Sequence, residues 1–94
     1  MEYELTVLLK PSLTREYWED TTGCYLRKLC SIGTVEDDGE KTIAYSIDGY
    51  NRARCLFYTI KKPVMNTLVK ELDRDKLVLR YLMVTKRKQI RKNY

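Results

Sequence analysis

The sequence predicts an α+β fold in which four antiparallel strands form one sheet and two helices pack on one of its faces. Stretches with a two-residue apolar period alternate with stretches of helical period, in the order strand, helix, strand, strand, helix, strand. The 94 residues suit one domain with a single core, and 44% hydrophobic residues exclude a disordered chain. Since no apolar run approaches the roughly 20 residues that span a bilayer, and the N-terminus lacks signal-peptide features, we expect a soluble chain that stays where it is made.

The first strand and helix follow from the N-terminal third of the chain. Strand one alternates apolar and polar side chains and places one apolar set on a single face: Tyr3, Leu5, Val7 and Leu9. Pro11 ends this strand. Thr14 is the predicted N-cap of a helix that runs to Gly33 with apolar side chains at three- and four-residue spacing. Gly23 inside that helix should weaken it by about 1 kcal/mol relative to alanine.

The rest of the chain supplies three strands and one helix. An extended stretch from residue 34, with an acidic bend at 37–39, leads into strand two over residues 42–47. Asp48 and Gly49 are turn residues of a hairpin, and strand three follows over residues 52–60. Residues 65–72 have helical spacing, and residues 77–84 form strand four. This order is the ferredoxin-like arrangement. The sheet face opposite the helices must then be polar or covered by a partner.

The excess of positive over negative charge is confined to the C-terminus of the chain. Residues 1–85 hold thirteen cationic and thirteen anionic side chains, so the net charge of +5 comes from five residues: Lys86, Arg87, Lys88, Arg91 and Lys92. We therefore expect a domain over residues 1–86 whose charges balance up to residue 85, and a basic tail over residues 87–94. Such a tail is either a solvated segment or an arm that neutralises nucleic-acid phosphates.

The residue types that catalysis or metal binding usually needs are missing or poorly placed. The sequence has no histidine, and its three cysteines lack zinc-site spacing, so we expect them to be reduced thiols. There is no Gly-rich phosphate loop. An acidic run at residues 36–40 could bind a divalent ion, but an exposed hairpin explains it better. We expect no enzymatic activity, no cofactor and no metal. Strand three also lacks the aromatic pattern of RRM-type RNA recognition.

Three stretches of the sequence resemble a known family. They are Tyr3-Glu4 followed by Pro11, the stretch GEKTIAYSI from Gly39 to Ile47, and the stretch VLRYLMVTK from Val78 to Lys86. In this order and spacing they resemble the bacterial small-subunit ribosomal protein S-six family over nearly the whole chain. The chain departs from the family pattern at Ser46, where proline is usual, at residues 48–49, where lysines are common, and at residues 51–54, where a Gly-Tyr pair is expected.

The resemblance implies a structural protein of the small ribosomal subunit that binds the central domain of the small-subunit rRNA together with protein S-eighteen. It implies a location on a bacterial-type ribosome, in the cytoplasm or in an organelle, with no membrane and no small-molecule substrate. The expected rRNA contacts are Tyr3, Arg80, Lys86, Arg87, Lys88, Arg91 and Lys92, with Arg52 and Arg54 as weaker candidates. The expected protein-partner contacts are Tyr45, Ile47, Leu56 and Tyr58.

Arg80 is the pivotal residue of this hypothesis because it lies in an otherwise apolar strand. Its guanidinium must reach either a phosphate or an acidic partner. The acidic partner, as the alternative to a phosphate, would be Glu4 on the neighbouring strand one. Two other functions of the same fold are a small-molecule regulatory domain and an acylphosphatase-like enzyme. Both would need a ligand loop at the first strand-helix junction. The stretch KPSLT offers neither the glycine nor the acid that a regulatory domain would need there, and Arg15 lies too far into the helix to serve as the loop arginine of an acylphosphatase-like enzyme.

Overall fold

The computed structural model describes residues 2–86 and arranges them around one four-stranded antiparallel sheet. The elements are β1 (Glu2–Leu9), α1 (Arg15–Asp20), a 3-10 turn (Thr22–Cys24), α2 (Tyr25–Leu29), β2 (Ser31–Ile47), β3 (Tyr50–Lys61), α3 (Met65–Arg74) and β4 (Val78–Lys86). The sheet order is β2-β3-β1-β4, so β2 and β4 are the edge strands. The predicted ferredoxin-like fold is confirmed. The predicted tail at 87–94 lies outside the described residues.

The first predicted helix is interrupted, which corrects the continuous helix expected up to Gly33. Its N-cap is as predicted, because Thr14 Oγ1 accepts a hydrogen bond from the Tyr17 amide at 3.1 Å. The helix breaks at Thr21, whose φ of −108° and ψ of −102° are not helical. A 3-10 turn then brings Gly23 against Trp18, so close that a Cβ at Gly23 would lie 2.6 Å from Trp18 Cε2. The helical segments therefore end at Leu29, and Gly33 lies inside β2.

Strand two is longer than predicted and irregular. It starts at Ser31 rather than at residue 42, and its pairing with β3 shifts between Asp37 and Gly39, where Gly39 has a φ of 76°. The extra residue at this bulge lies in the predicted acidic bend. The predicted hairpin turn is confirmed. Asp48 and Gly49 have φ values of 51° and 85°, the positive values that a two-residue type I′ turn requires.

The hydrophobic core lies between the sheet and the helices. Its largest fully buried side chains come from β1, β3 and the helical segments: Trp18, Tyr58, Leu5, Leu9, Leu26, Leu56, Ile60, Leu68, Leu72 and Val7. The buried carboxylate of Asp75 accepts hydrogen bonds from Trp18 Nε1 at 2.7 Å and from Tyr25 Oη at 3.0 Å. Burial and then the Asp75 charge raise the pKa of Tyr25. This network joins the first helical segments to the α3-β4 connection. All the helices lie on one side of the sheet, so the described residues leave the opposite sheet face uncovered.

Candidate functional site

The candidate site is the sheet face that points away from the helices, which we call the open face. Since Leu5, Val7 and Leu9 are buried toward the helices, the residues that alternate with them along β1 point to the open face. The pairing register extends this face into four cross-strand rows: Arg80-Leu8-Cys55, Leu82-Thr6-Phe57-Glu36, Val84-Glu4-Thr59-Thr34, and Lys86-Glu2-Lys61-Ser31.

The middle of the open face is apolar and solvent-exposed. Leu82 is 60% exposed, Val84 42% and Phe57 38%. Leu82 and Val84 lie on the edge strand β4, and Phe57 lies two strands away on β3. Thr6 lies between Leu82 and Phe57, and Glu4 is paired with Val84. We call the three exposed apolar residues the apolar strip, which these polar side chains interrupt. Sequence reasoning assigned no role to these three residues, although Leu82 and Val84 share a two-residue period with Arg80.

Arg80 lies at one corner of the open face and is exposed. Its strand partner is Leu8, whereas Glu4 is opposite Val84. Glu4 is four residues from Leu8, so its Cα lies about 13 Å farther along the strand. Arg80 forms no ion pair with any side chain that the structure describes between residues 2 and 85. The salt bridge between Arg80 and Glu4, which was the alternative to a phosphate contact, is therefore not formed between these two described residues.

Arg54 is already engaged within the fold. Its Nη1 lies 2.9 Å from Asp37 Oδ1, and its Nε donates to the carbonyl of Leu13. Burial acts to raise the pKa of Asp37, but hydrogen bonds from the Gly39 amide and the Arg54 guanidinium together hold that pKa below its usual value. Arg54 thus ties the β2-β3 hairpin to the β1-α1 loop.

Arg52 is also paired, although it is more exposed than Arg54. Its Nε lies 3.3 Å from Glu40 Oε1, and the same carboxylate accepts a hydrogen bond from the Ser12 amide at 2.9 Å. The Ser12 amide, and after it Arg52, lower the pKa of Glu40. Both hairpin arginines would have to leave a carboxylate in order to bind a phosphate. Arg80 would not have to leave any carboxylate of the described range.

Tyr3 lies on the other side of the sheet from Arg80. Its side chain packs against the core, and its strand partners are Ile60 and Thr85. Tyr3 and Arg80 are therefore at opposite ends of the sheet and on opposite faces. Lys86 pairs through its backbone with Glu2, next to Tyr3. The other predicted rRNA contacts, Arg87, Lys88, Arg91 and Lys92, lie outside the described residues.

Two of the four predicted partner residues are in the core, which corrects that prediction. Leu56 is fully buried, and Tyr58 is 2% exposed and donates a hydrogen bond to Glu19 Oε2 at 2.8 Å. Both face the helices, because they pair with Val7 and Leu5, the buried residues of β1. Residue 57 between them is the one that reaches the open face. Three consecutive large apolar residues hid this alternation in the sequence.

The other two predicted partner residues lie near the tip of the β2-β3 hairpin. Tyr45 is 79% exposed, and Ile47 is half-buried beside the turn. Thr42 pairs with Arg52 and Ile47 with Tyr50, so the four residues from Ile43 to Ser46 oppose the single residue Asn51. This bulge contains Ser46, where the family usually has proline, and it presents Tyr45 to solvent.

The first strand-helix junction is occupied by side chains of the hairpin. Ser12 donates its amide to Glu40, and the carbonyl of Leu13 accepts from Arg54. The Ser12 amide and the Leu13 carbonyl are thus already engaged within the fold. Within residues 2–86 the structure contains no cluster of three or more potential metal ligands. None of the helices in that range is long and apolar enough to cross a membrane.

Comparison with known proteins identifies the family. The family model described as Ribosomal protein S6 matches residues 2–85. The chain belongs to the ribosomal protein S6 family. The S6 family is one of structural proteins of the small ribosomal subunit rather than enzymes, so the chain has a structural role in that subunit and is located on the ribosome. The resemblance seen in the sequence is thereby confirmed.

A solved S6 structure has the same fold. The 30S ribosomal protein S6 from Thermotoga maritima, known from a crystal structure, is 18% identical in sequence to this chain. The two structures superpose with a TM-score of 0.71, and the match covers 87% of this chain and 83% of that chain. Comparison with curated protein sequences finds no match. At this identity the likeness establishes the fold, and the roles of individual residues rest on the geometry of the open face.

Proposed function

We propose that this S6-family chain binds the central domain of the small-subunit rRNA together with protein S-eighteen, in a bacterial-type ribosome of the cytoplasm or of an organelle. The observation that carries the proposal is Arg80, an exposed arginine at the corner of an uncovered sheet face with no ion-pair partner among the described side chains. Family membership supplies the ribosomal setting.

Arg80 is suited to a phosphate of the RNA backbone. Its guanidinium presents a planar fork of donors that matches two phosphate oxygens, and such charge-assisted bonds are about twice as strong as neutral ones. Because Arg80 forms no ion pair with a described carboxylate, a phosphate contact would break no such pair. Arg52 and Arg54 lack this advantage and remain the weaker candidates.

The basic C-terminal residues extend the positive charge beyond Arg80. Along β4, Lys86 lies about 20 Å from Arg80, so the two residues would contact different phosphates. Arg87, Lys88, Arg91 and Lys92 continue this series in the sequence. Phosphate contacts of this kind hold RNA without reading its sequence and make affinity depend on salt. Tyr3, next to Lys86 in the sheet, is the remaining candidate for an rRNA contact.

The protein partner is proposed to contact the open face and the exposed hairpin tip. The apolar strip of Phe57, Leu82 and Val84 is of the kind that a partner covers, and Tyr45 and Ile47 lie on the same hairpin as Phe57. Leu56 and Tyr58 support this surface from below as core residues. They would not contact the partner directly.

Arg80→Ala tests the proposal in an equilibrium binding assay with S-eighteen and a central-domain rRNA fragment at several salt concentrations. We expect binding to weaken about tenfold and the slope of log K against log salt to become shallower by about 0.9, the value for one lost phosphate contact. Arg74→Ala is the matched control, since Arg74 is an exposed arginine of α3 on the other layer. Equal affinity and slope for Arg80→Ala and wild type would reject the assignment.

A further inference from the structure

The open face is not uniform in charge. Its Arg80 corner is cationic, whereas Glu4 and Glu36 lie beside Phe57 in the rows toward its other end. Phe57 pairs directly with Glu36 on β2, and Glu4 is its diagonal neighbour across β1. Glu4, Glu36 and Phe57 line one shallow groove, together with Thr6, Thr34 and Thr59. We call this the glutamate groove.

Both glutamates of this groove lack an ion pair among the described side chains, although the next row of the sheet carries Lys61 and Lys86, which both pair through the backbone with Glu2. Neither Glu4 nor Glu36 forms an ion pair with a side chain described between residues 2 and 85. The other acidic residues around them differ, because Glu2 pairs with Lys61 and Asp37 with Arg54. The groove is therefore a local negative region that borders an exposed aromatic ring and an apolar strip.

We propose that the glutamate groove receives a lysine or arginine side chain of the protein partner, whose apolar residues cover Phe57, Leu82 and Val84. This inference rests on the proposed function and names the chemistry that its partner must present. A cation over the face of Phe57 gains from the ring quadrupole and from the two flanking carboxylates. Burial of the apolar strip by the same segment would exclude water and strengthen both attractions.

The same electrostatics assign RNA and protein to different parts of the face. A phosphate in the glutamate groove would meet two carboxylates without an intervening cation. At the Arg80 corner, it would meet a guanidinium that has no ion-pair partner among the described side chains. Arg80 is therefore assigned to RNA, whereas the glutamate groove, together with Leu82 and Val84 of β4, is assigned to the cationic protein segment.

The double variant Glu4→Gln/Glu36→Gln removes both charges and keeps the shape of the side chains. We expect it to bind S-eighteen about tenfold more weakly than wild type at low salt and with a shallower salt dependence, since rim charges act on association and are screened by salt. The charge-matched control is Glu16→Gln/Asp20→Asn, which neutralises two exposed residues of α1 on the other layer and should leave affinity within about twofold. Urea unfolding of all three proteins checks that the fold is unchanged.

The outcomes separate this inference from the proposed function. If wild type binds S-eighteen and the groove variant binds equally well, the inference is overturned and the proposed function stands. If wild type does not bind S-eighteen, both fail. Tighter binding of the groove variant to the rRNA fragment alone would place RNA on this surface. A wild-type dimer in analytical ultracentrifugation that the groove variant loses would show that a second copy of the chain occupies it.

A photocrosslinking residue at position 57 gives the second readout. With Phe57→p-benzoylphenylalanine, we expect the crosslinked S-eighteen peptide to contain a lysine or arginine within a few residues of the attachment point. A crosslinked peptide with no cationic residue would overturn the inference even if the binding assay supported it.

Discussion

Helix propensity and the packing in the structure predict opposite effects of Gly23→Ala on the free energy of unfolding. Helix propensity alone favours alanine over glycine by about 1 kcal/mol. In the structure, an alanine Cβ at this position would lie 2.6 Å from Trp18 Cε2, 2.7 Å from Trp18 Cδ2 and 2.9 Å from the Trp18 carbonyl oxygen. Carbon atoms in good contact are roughly 3.5 to 4.0 Å apart, so the indole would have to move by about 1 Å.

The indole of Trp18 cannot move without loss elsewhere. It is fully buried, its Nε1 donates to Asp75 at 2.7 Å, and its ring meets Tyr25 edge to face at a centroid distance of 6.3 Å. Overpacking at such a position typically costs about 1 to 3 kcal/mol. After the propensity gain of about 1 kcal/mol is subtracted, we expect Gly23→Ala to lower the free energy of unfolding by up to about 2 kcal/mol.

Urea unfolding followed by far-UV circular dichroism measures this change. The neighbouring exposed residue supplies the control, and Cys24→Ala should change the free energy of unfolding by less than about 0.5 kcal/mol. A Trp18→Leu background removes the two ring contacts but keeps the contact with the backbone carbonyl of residue 18, so part of the cost of Gly23→Ala should disappear. A Gly23→Ala protein as stable as wild type or more stable would refute the packing argument.

Three further predictions concern the core, the hairpin and the open face. Asp75→Ala leaves the buried Trp18 and Tyr25 donors without an acceptor and should lower the free energy of unfolding by about 3 kcal/mol, measured by urea unfolding; a loss below about 1 kcal/mol would contradict the network. Asp37 has a lowered pKa in the folded state, so its stabilising contribution is complete above its unfolded pKa of about 3.9 and is lost as pH falls through the folded pKa. The stability difference between wild type and Asp37→Asn should thus shrink on acidification from pH 6, and a constant difference would contradict the pairing with Arg54. Tyr58→Ala should cost about 3 to 5 kcal/mol, whereas Phe57→Ala should cost about 1 kcal/mol because its ring is partly exposed. Equal losses at the two positions would contradict the assignment of faces.

Elements with a clear period and clear end signals were predictable from the sequence. Strand one, the Thr14 cap and the Asp48-Gly49 turn each depend on local chemistry that is visible in the sequence. The break at Thr21 was not predictable in the same way, because helical apolar spacing continues across it. What ends α1 is a tertiary contact, the packing of Gly23 on an indole that Asp75 fixes from the far end of α3.

The candidate site was predictable only where a single residue broke a strong pattern. Arg80 stands out because it interrupts an apolar strand, and its isolation depends on the register that pairs it with Leu8 rather than Glu4. The same strand register was needed to assign each of residues 56–58 to one face of the sheet, since a run of three large apolar residues has no visible period of two. Once Leu5 is known to pair with Tyr58, the assignment follows, and Phe57 must share its face with Leu82 and Glu36. The open face carries an arginine at one corner and two glutamates beside an aromatic ring, none of them in an ion pair among the side chains described from residue 2 to 85, and strand pairing rather than a motif along the chain brings them together.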